Sequence, residues 1–307
     1  MSDRLQVGNA PCSWGTIEGF EKTIPYSQML DELTQTGFRG TELGDYGFMP
    51  TDPARLREEL ASRGLTMLGA YHGVYLRDPK AHPEGAEKGV AIARLLAAVA
   101  DVGDRNWRPF LVLADEHSRD PVRLAKAGRI TEELGLTADD RSVFAQGARA
   151  FAERVAGETG IETVFHPHCA GYVETPDEIE RFCELSGLGI VFDTGHYLYG
   201  TGSSDGNLVL DGLERFEENL RYVHFKDLDP GVADRARRQG LDYRAAVGEG
   251  VFCELGEGSV DFGAVLAWLR GRGYQGWITV EQDVLPGMGS PKESARRNRE
   301  FLRSLGL

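Results

Sequence analysis

The chain repeats one pattern along its length, in which a short apolar segment is followed by a longer amphipathic segment. Eight such pairs occur, and their apolar segments are LQVGNAP, FRGTELG, LTMLGAYHG, RPFLVLA, IETVFHPH, LGIVFDTGH, RYVHFKD and GWITVEQD. Strands that alternate with helices pair in parallel through right-handed crossovers. Eight strand–helix units in 307 residues therefore predict an α/β fold of the (β/α)8 TIM-barrel type.

The segment after the first strand bears on the choice between a barrel and another α/β fold. The competing fold, a doubly wound sheet, commonly carries a GxGxxG turn at this point for a bound nucleotide. Here the strand continues into GNAPCSWG, which has no such turn. No linker or low-complexity tract interrupts the pattern, so we expect a single barrel domain over residues 1–307.

Two connections are long for a compact barrel, residues 115–136 after the fourth strand and residues 229–258 after the seventh. Both lie on the strand-to-helix side, where barrel enzymes build their active sites, so we expect both to be active-site loops. The second contains RARRQG, the only dense basic cluster in the sequence. A solvated surface helix is the simpler interpretation of this cluster, and a lid over an anionic or polyol ligand is the alternative.

The charge of the chain limits the classes of partner. The net charge is −14, which disfavours binding to nucleic acid and suits a neutral polyol or sugar. No apolar run approaches the roughly 20 residues of a membrane span. The segment MSDRLQVGNAPCSWG lacks the layout of a signal peptide, so we expect a cytoplasmic protein. Four scattered cysteines without a CxxC pair predict neither a thiolate zinc site nor a disulfide framework.

Ionisable side chains accumulate where the predicted strands end. Five of the seven histidines are found there with lysine and carboxylates, and the set is Glu42, His72, Asp115, Glu116, His166, His168, Asp193, His196, His224, Lys226, Asp227, Glu281 and Asp283. Neighbouring strands are about 4.8 Å apart, so side chains at equal heights converge. Burying so many ionisable groups is costly unless a cation or a hydroxyl-rich substrate binds them.

The best candidate set of metal ligands takes one residue from each of the last four strands, namely His166, Asp193, His224 and Glu281. Two imidazoles and two carboxylates suit one Mn²⁺, Fe²⁺, Co²⁺ or Zn²⁺ ion better than Mg²⁺ or Ca²⁺. Any one of these residues alone has a simpler structural interpretation, as does Glu42 at the barrel rim. The coincidence over four strands favours a site. Trp14 is expected in the core or in the wall of the pocket.

Six segments carry a resemblance to a known family: GTELG (40–44), FHPHCAGYVETPDEIERF (165–182), FDTGHYLYG (192–200), YVHFKDLD (222–229), FCELGEGSVDF (252–262) and GWITVEQD (276–283). In these segments the chain resembles the xylose-isomerase-like barrel superfamily of sugar isomerases, epimerases and dehydratases. Within that superfamily it looks most like the inosose (2-keto-myo-inositol) dehydratase branch. The segments follow the family's order and span the whole barrel.

The resemblance also implies roles for individual residues. Asp193, His224 and Glu281 match the family's metal ligands. His166 stands where the family commonly has a glutamate, two positions before His168. Ketose epimerases of the superfamily use two opposed glutamates as bases, whereas an imidazole bound to a metal through one nitrogen has no lone pair there to act as a base. This departure weakens two-base epimerisation and favours elimination.

The predicted activity is therefore a metal-dependent dehydration of a cyclic polyhydroxy ketone such as 2-keto-myo-inositol, through an enolate and loss of the β-hydroxyl. Glu281 or His168 is the candidate base, and Lys226 or a histidine the candidate acid. The candidate substrate-binding residues are Glu42, His72, His196 and Trp14, and the resemblance also places His196 and Lys226 at positions that usually touch substrate.

Three other functions stay open. An aldose–ketose isomerase or ketose epimerase would use the same metal site and exchange substrate α-protons without losing water. A non-catalytic barrel would bind a sugar as a sensor. An abasic-site endonuclease shares the barrel, but it would need three metals and a basic groove, which the net charge of −14 disfavours. Barrels of this kind often pair, so a homo-oligomer is an expectation, although no interface is evident in the sequence.

Overall fold

A computed structural model describes residues 5–16, 24–116 and 119–307. Its strand segments are β1 (Leu5–Asn9), β2 (Gly40–Thr41), β3 (Thr66–Met67), β4 (Gly69–Val74), β5 (Phe110–Asp115), β6 (Thr163–Phe165), β7 (Ile190–Asp193), β8 (Leu220–Phe225), β9 (Asp227–Leu228), β10 (Phe252–Cys253) and β11 (Gly276–Val280). Its helices are α1 (Tyr26–Thr36), α2 (Pro53–Arg63), α3 (His82–Val99), α4 (Pro121–Lys126), α5 (Ala138–Thr159), α6 (Pro176–Ser186), α7 (Thr194–Gly200), α8 (Asn207–Arg215), α9 (Pro230–Gln239), α10 (Tyr243–Gly248), α11 (Phe262–Gly271) and α12 (Pro291–Ser304).

Nine strand segments form one parallel sheet in the order β3-β2-β1-β11-β8-β7-β6-β5-β4. The segments at the two ends of this order, β3 and β4, are separated in the chain only by Leu68, so they form one crossing of the barrel. The Leu43 amide also donates to the Gly69 carbonyl oxygen at 2.9 Å. The sheet thus closes on itself with helices outside, and the predicted (β/α)8 barrel is confirmed.

The interior of the barrel is filled below its mouth by six fully buried side chains: Leu68, Val112, Val164, Val191, Tyr222 and Trp277. Two glycines make room for them. A Cβ on Gly8 would lie 2.3 Å from Leu68 Cδ1, and one on Gly40 would lie 2.7 Å from the Trp277 ring. Such distances are impossible, so bulky residues from other strands occupy the space that these two positions leave. We call these six side chains the barrel floor.

Side-chain oxygens cap the starts of several helices. Thr175 caps α6 by accepting from the Glu178 amide, and the Glu178 side chain accepts from the Thr175 amide in return. Thr137 caps α5, and Asp52 accepts from the Arg55 amide at the start of α2. These oxygens satisfy amides that have no partner within the first turn. No helix of the described ranges is long and apolar enough to cross a membrane.

The two long connections are built of short helices. Residues 115–136 contain α4 and a 3₁₀ turn, and residues 229–258 contain α9, α10 and strand β10, which pairs antiparallel with β9. We call α9 and α10 the cap. Arg129 joins the two connections, because its guanidinium donates to the carbonyl oxygens of Ala236 at 3.0 Å and Leu241 at 2.9 Å.

The arginines of RARRQG lie on α9. Arg235 contacts Glu249, and Arg237 contacts Asp234 and the Ser203 carbonyl oxygen. None of the arginines of α9 lines the cavity described below. The structure therefore supports the interpretation of this cluster as a surface helix.

Candidate metal centre and active site

A cavity opens at the carboxyl ends of the barrel strands. Its lining includes six residues that the sequence singles out: Glu42, His166, His168, His224, Lys226 and Glu281. The cap contributes Tyr243 and Arg244 to the opposite wall. The strands bring these side chains together because β7, β8 and β11 pair in parallel, with Asp193 level with His224 and Val280 level with Phe225.

Asp193 and Glu281 link the two imidazoles among the four candidate metal ligands. His224 Nδ1 lies 3.1 Å from Glu281 Oε1 and 3.8 Å from Asp193 Oδ2. His166 Nε2 lies 4.0 Å from the same oxygen of Asp193. Ligand atoms around a cation with bonds of about 2.1 Å are about 3 to 4 Å apart, so these separations suit a shared ion. Ligand atoms of His166, Asp193 and Glu281 lie within 4.8 Å of one another and of a ring nitrogen of His196, whereas His224 forms such a group with Glu42 and Glu281. The structure thus divides the predicted ligand set between two overlapping groups that share Glu281.

The hydrogen bonds of these residues leave the inner atoms available to a cation. Asp193 Oδ1 caps α7 by accepting from the His196 amide at 2.7 Å, while Asp193 Oδ2 is buried without a hydrogen-bond partner. His166 Nδ1 donates to the Pro167 carbonyl oxygen at 2.8 Å, so its Nε2 carries the lone pair. Buried polar atoms are rarely left unpaired, and a carboxylate oxygen facing an imidazole lone pair fits a divalent metal.

Glu42 lies behind His224. Its Oε1 accepts from His224 Nε2 at 2.8 Å and from the Tyr222 hydroxyl at 2.9 Å, and Tyr222 also contacts Thr279. A proton on Nε2 leaves the lone pair on Nδ1, which faces Asp193 and Glu281. Glu42 was predicted to bind substrate. The structure gives it contacts that orient an imidazole, although it also lines the cavity.

The electrostatics of the centre are dominated by buried carboxylates. Burial raises the pKa of Asp193 to about 7 and lowers the pKa of His166 to about 3, so that imidazole is neutral. Burial opposes a charge on His224, but Glu281 and Glu42 outweigh it and raise the pKa of His224 well above its ordinary value. The carboxylates therefore attract positive charge to the candidate ligands.

Lys226 forms the second charged cluster beside these ligands. Its Nζ lies 3.2 Å from Glu281 Oε2, 3.3 Å from Asp283 Oδ1 and 3.4 Å from His196 Nε2, over the Phe252 ring. Burial acts against its charge, but Asp283 and Glu281 raise the pKa of Lys226 well above its ordinary value. The ammonium group thus stays protonated and faces the cavity.

His168 reaches the cavity wall from the turn after β6. Its Nδ1 donates to the Cys169 carbonyl oxygen at 2.7 Å, which leaves the lone pair on Nε2. The ring packs at 4.0 Å between centroids on His196 and at 5.6 Å on Tyr243 of the cap. A half-buried imidazole with a fixed tautomer is suited to general-base chemistry.

Two sequence assignments need correction. His72 was expected to bind substrate, but its Nε2 contacts the Gly85 carbonyl oxygen of α3 and its ring stacks on Phe151 of α5. It therefore lies on the helix-facing side of β4, and its neighbour Tyr71 lines the cavity instead. Trp14 is fully buried and donates through Nε1 to Glu32, which agrees with its expected place in the core. It does not line the cavity, so its assignment to substrate binding is wrong.

His196 lies one layer behind the cavity wall. It belongs to the first turn of α7 rather than to the end of β7, and it is 2 % exposed. It is not among the residues that line the cavity, because His168 and Lys226 lie in front of it. Its expected contact with substrate is therefore not supported by this arrangement.

Sequence reasoning did not assign four residues that the cavity wall contains: Tyr71, Tyr243, Arg244 and Asp283. Asp283 was visible as a polar residue after the eighth strand, and burial raises its pKa. Tyr243 and Arg244 lie in a connection whose position over the mouth depends on tertiary contacts such as that of Arg129. Alternation along the strand would have pointed to Tyr71 if the inward register had been known.

The family model described as "Xylose isomerase-like TIM barrel" matches residues 30–305. Among curated relatives, the inosose dehydratase of Geobacillus kaustophilus (strain HTA426) is 30% identical over 314 residues, which cover 98% of this chain and 94% of that protein. These matches extend over nearly the whole described barrel.

Solved structures share the fold at low sequence identity. The IolI protein with a bound zinc atom has a TM-score of 0.68 and 13% identity, with 98% of this chain and 97% of that chain covered. The probable 3-DHS dehydratase AsbF of Bacillus anthracis has a TM-score of 0.65 and 13% identity, with 97% and 98% covered. Both similarities support the barrel architecture.

Proposed function

Because the chain belongs to the xylose isomerase-like TIM barrel family, we propose that it is a divalent-metal-dependent dehydratase of a cyclic polyhydroxy ketone such as 2-keto-myo-inositol. The observation that carries the proposal is the position of Asp193, whose Oδ2 lies within 4.0 Å of the imidazoles of His166 and His224, close to Glu281, His168 and Lys226. The similarity to an inosose dehydratase over 98% of the chain supports the choice of substrate. The partner is then a small polyol or sugar, and a cytoplasmic homo-oligomer remains part of the proposal.

The residues that would hold the ion are His166, Asp193, His224 and Glu281. The donor set suits Mn²⁺, Co²⁺, Fe²⁺ or Zn²⁺, and the structurally similar IolI protein binds a zinc atom. When bound, the cation would act as a Lewis acid towards the substrate carbonyl and make its α-proton more acidic.

His168 is the candidate base. Its Nε2 carries the lone pair at the cavity wall, so it would accept the proton from the substrate α-carbon. Glu281 is less suited to this role, because one of its oxygens faces His224 and the other faces Lys226. Its neighbours also hold the pKa of Glu281 well below its ordinary value, which makes it a weak base.

Lys226 is the candidate donor to the departing hydroxyl. The ammonium would hydrogen-bond the β-hydroxyl oxygen and supply the proton with which that group leaves as water. Asp283 and Glu281 keep the ammonium charged until then. The proton that His168 takes balances the one that Lys226 gives, so the net reaction is loss of one water molecule.

The test uses purified protein with 2-keto-myo-inositol and each of the four metals, followed by the absorbance of the unsaturated diketone product. We expect turnover with at least one metal and its loss in His168→Gln, with substrate affinity retained. No turnover with any metal would reject the substrate. Exchange of the α-proton with D₂O without loss of water would instead identify an isomerase or epimerase, and binding without either reaction would identify a sensor.

A further inference from the structure

The turn that carries His168 has an unfavourable backbone conformation. Ala170 has a φ of +70°, and it is the one non-glycine residue with a positive φ in the described ranges. A residue with a Cβ rarely adopts a positive φ, so other contacts must hold the turn in this conformation. Strained backbone of this kind often accompanies functional sites, and here it lies two residues after the candidate base.

The peptide bond between Cys169 and Ala170 is held at both of its polar atoms. Its carbonyl oxygen accepts from His168 Nδ1 at 2.7 Å, and its N–H donates to Glu174 Oε2 at 2.7 Å. The carbonyl and the N–H belong to one rigid plane, so they cannot rotate independently. The orientation of the carbonyl that selects the His168 tautomer is therefore tied to the Glu174 carboxylate.

Glu174 is itself fixed in position. It is 2 % exposed, and its second oxygen, Oε1, accepts from the Gly128 amide at 2.6 Å. Its own amide donates to Glu178, whose carboxylate forms a bidentate pair with the buried Arg123. Burial raises the pKa of Glu174 to about 7, so above that pH it is a carboxylate. With both oxygens on backbone amides, the carboxylate holds the strained peptide more firmly than a neutral side chain could.

We propose that Glu174 is a positioning residue for His168, and that it acts by holding the Cys169–Ala170 peptide so that the His168 lone pair stays on Nε2 at the cavity wall. Glu174 does not line the cavity, and its hydrogen bonds join it to Gly128, Ala170 and Glu178 rather than to a candidate metal ligand. The part that concerns catalysis rests on the proposed function, whereas the effect on the imidazole does not. Without the carboxylate, Ala170 would relax towards a negative φ and the carbonyl would turn away from Nδ1.

The kinetic test compares Glu174→Gln with wild type at saturating metal. The glutamine places an NH₂ group against one of the two amides, so the peptide is released. We expect kcat to fall about tenfold or more, with KM and metal affinity changed less than about twofold. The same change in a His168→Gln background should have no further effect, because the residue through which Glu174 acts is gone.

A rescue variant separates this role from general destabilisation. Ala170→Gly adopts the positive φ without strain, so Glu174→Gln combined with Ala170→Gly should recover most of kcat. Asp52→Asn is the control variant. Asp52 lies at the start of α2, away from the cavity, and its carboxylate also accepts from a backbone amide, so we expect wild-type kcat. The proposal would be overturned if Glu174→Gln lowered kcat equally in the wild-type and His168→Gln backgrounds. It would also be overturned if Ala170→Gly did not restore kcat to Glu174→Gln.

A spectroscopic test does not depend on the substrate. The ¹⁵N shifts of the His168 ring report which nitrogen carries the proton, and we expect the Nδ1–H tautomer in wild type with or without added Zn²⁺. Glu174→Gln should give a mixture of tautomers, and the Ala170→Gly double variant should restore one. An unchanged tautomer in Glu174→Gln would overturn the inference even if the enzyme is active. The expected change in a protein that turns over no polyol ketone would support the inference and reject only the proposed function.

Discussion

Each of the three imidazoles that line the cavity has one nitrogen bonded to a fixed oxygen. His166 and His168 donate through Nδ1 to backbone carbonyl oxygens, and His224 contacts the Glu42 carboxylate through Nε2. These bonds decide which nitrogen faces the centre, so two tautomers are set by backbone carbonyl oxygens and the third by Glu42. The residue types were predictable from the sequence, but these partners were not, because they depend on the local turn or on a residue 182 positions away.

Glu42 provides a test at the level of a single residue. Glu42→Gln keeps an oxygen that can accept a hydrogen bond but removes the negative charge that orients and polarises His224. We expect affinity for Zn²⁺ or Mn²⁺ to fall about 10- to 100-fold in a chelator-competition titration. Glu32→Gln is the matched control, because Glu32 accepts from the Trp14 indole away from the cavity. Equal metal affinity in both variants would contradict the assignment of Glu42.

Asp115 provides a test of pH dependence. It is 3 % exposed, and burial raises its pKa from the ordinary 3.8 to about 6. The folded protein therefore binds this proton more tightly than the unfolded chain does. Wild type should lose stability relative to Asp115→Asn as the pH rises from about 4 to about 6, by up to about 3 kcal/mol. Urea unfolding at several pH values measures this difference, and a difference that does not vary with pH would be contrary to expectation.

The strand–helix alternation was readable from the sequence because each element has its own hydrophobic period and cap. The sequence did not show which residues of each strand point into the barrel. A shift of β4 by one residue would turn His72 inward and Tyr71 outward. Only the pairing of β4 with its neighbour decides which of the two points into the barrel. Likewise, the predicted sixth strand LGIVFDTGH extends to His196, yet Asp193 caps α7 and ends the strand there.

Arg129 is one of the side chains that hold the cap in position. Arg129 links it to the other long connection through the carbonyl oxygens of Ala236 and Leu241. In Arg129→Ala we expect faster hydrogen exchange over residues 230–250 and a KM raised severalfold, with a smaller change in kcat, because Tyr243 and Arg244 would cover the cavity less often. Arg238→Ala, at an exposed position of α9, is the control. Identical exchange in the two variants would show that Arg129 does not hold the cap.

Metal binding should appear in the stability of the whole molecule. The carboxylates of Asp193 and Glu281 are buried together beside two imidazoles, and a cation bound only by the folded chain removes that repulsion. At a metal concentration 100 times Kd, we expect about 2.7 kcal/mol of added stability. Thermal unfolding with and without chelator measures it, and His166→Ala should greatly reduce the response. A melting temperature that no added metal changes would exclude the metal site.

The barrel floor limits how small molecules enter and leave the cavity. Within the described ranges, Leu68, Trp277 and their neighbours fill the barrel below the cavity, so we expect reactant and product to share the opening beneath the cap. The unsaturated ketone therefore has to depart before the next polyol can enter. Accumulated product should therefore compete directly with reactant for the same opening of the cavity.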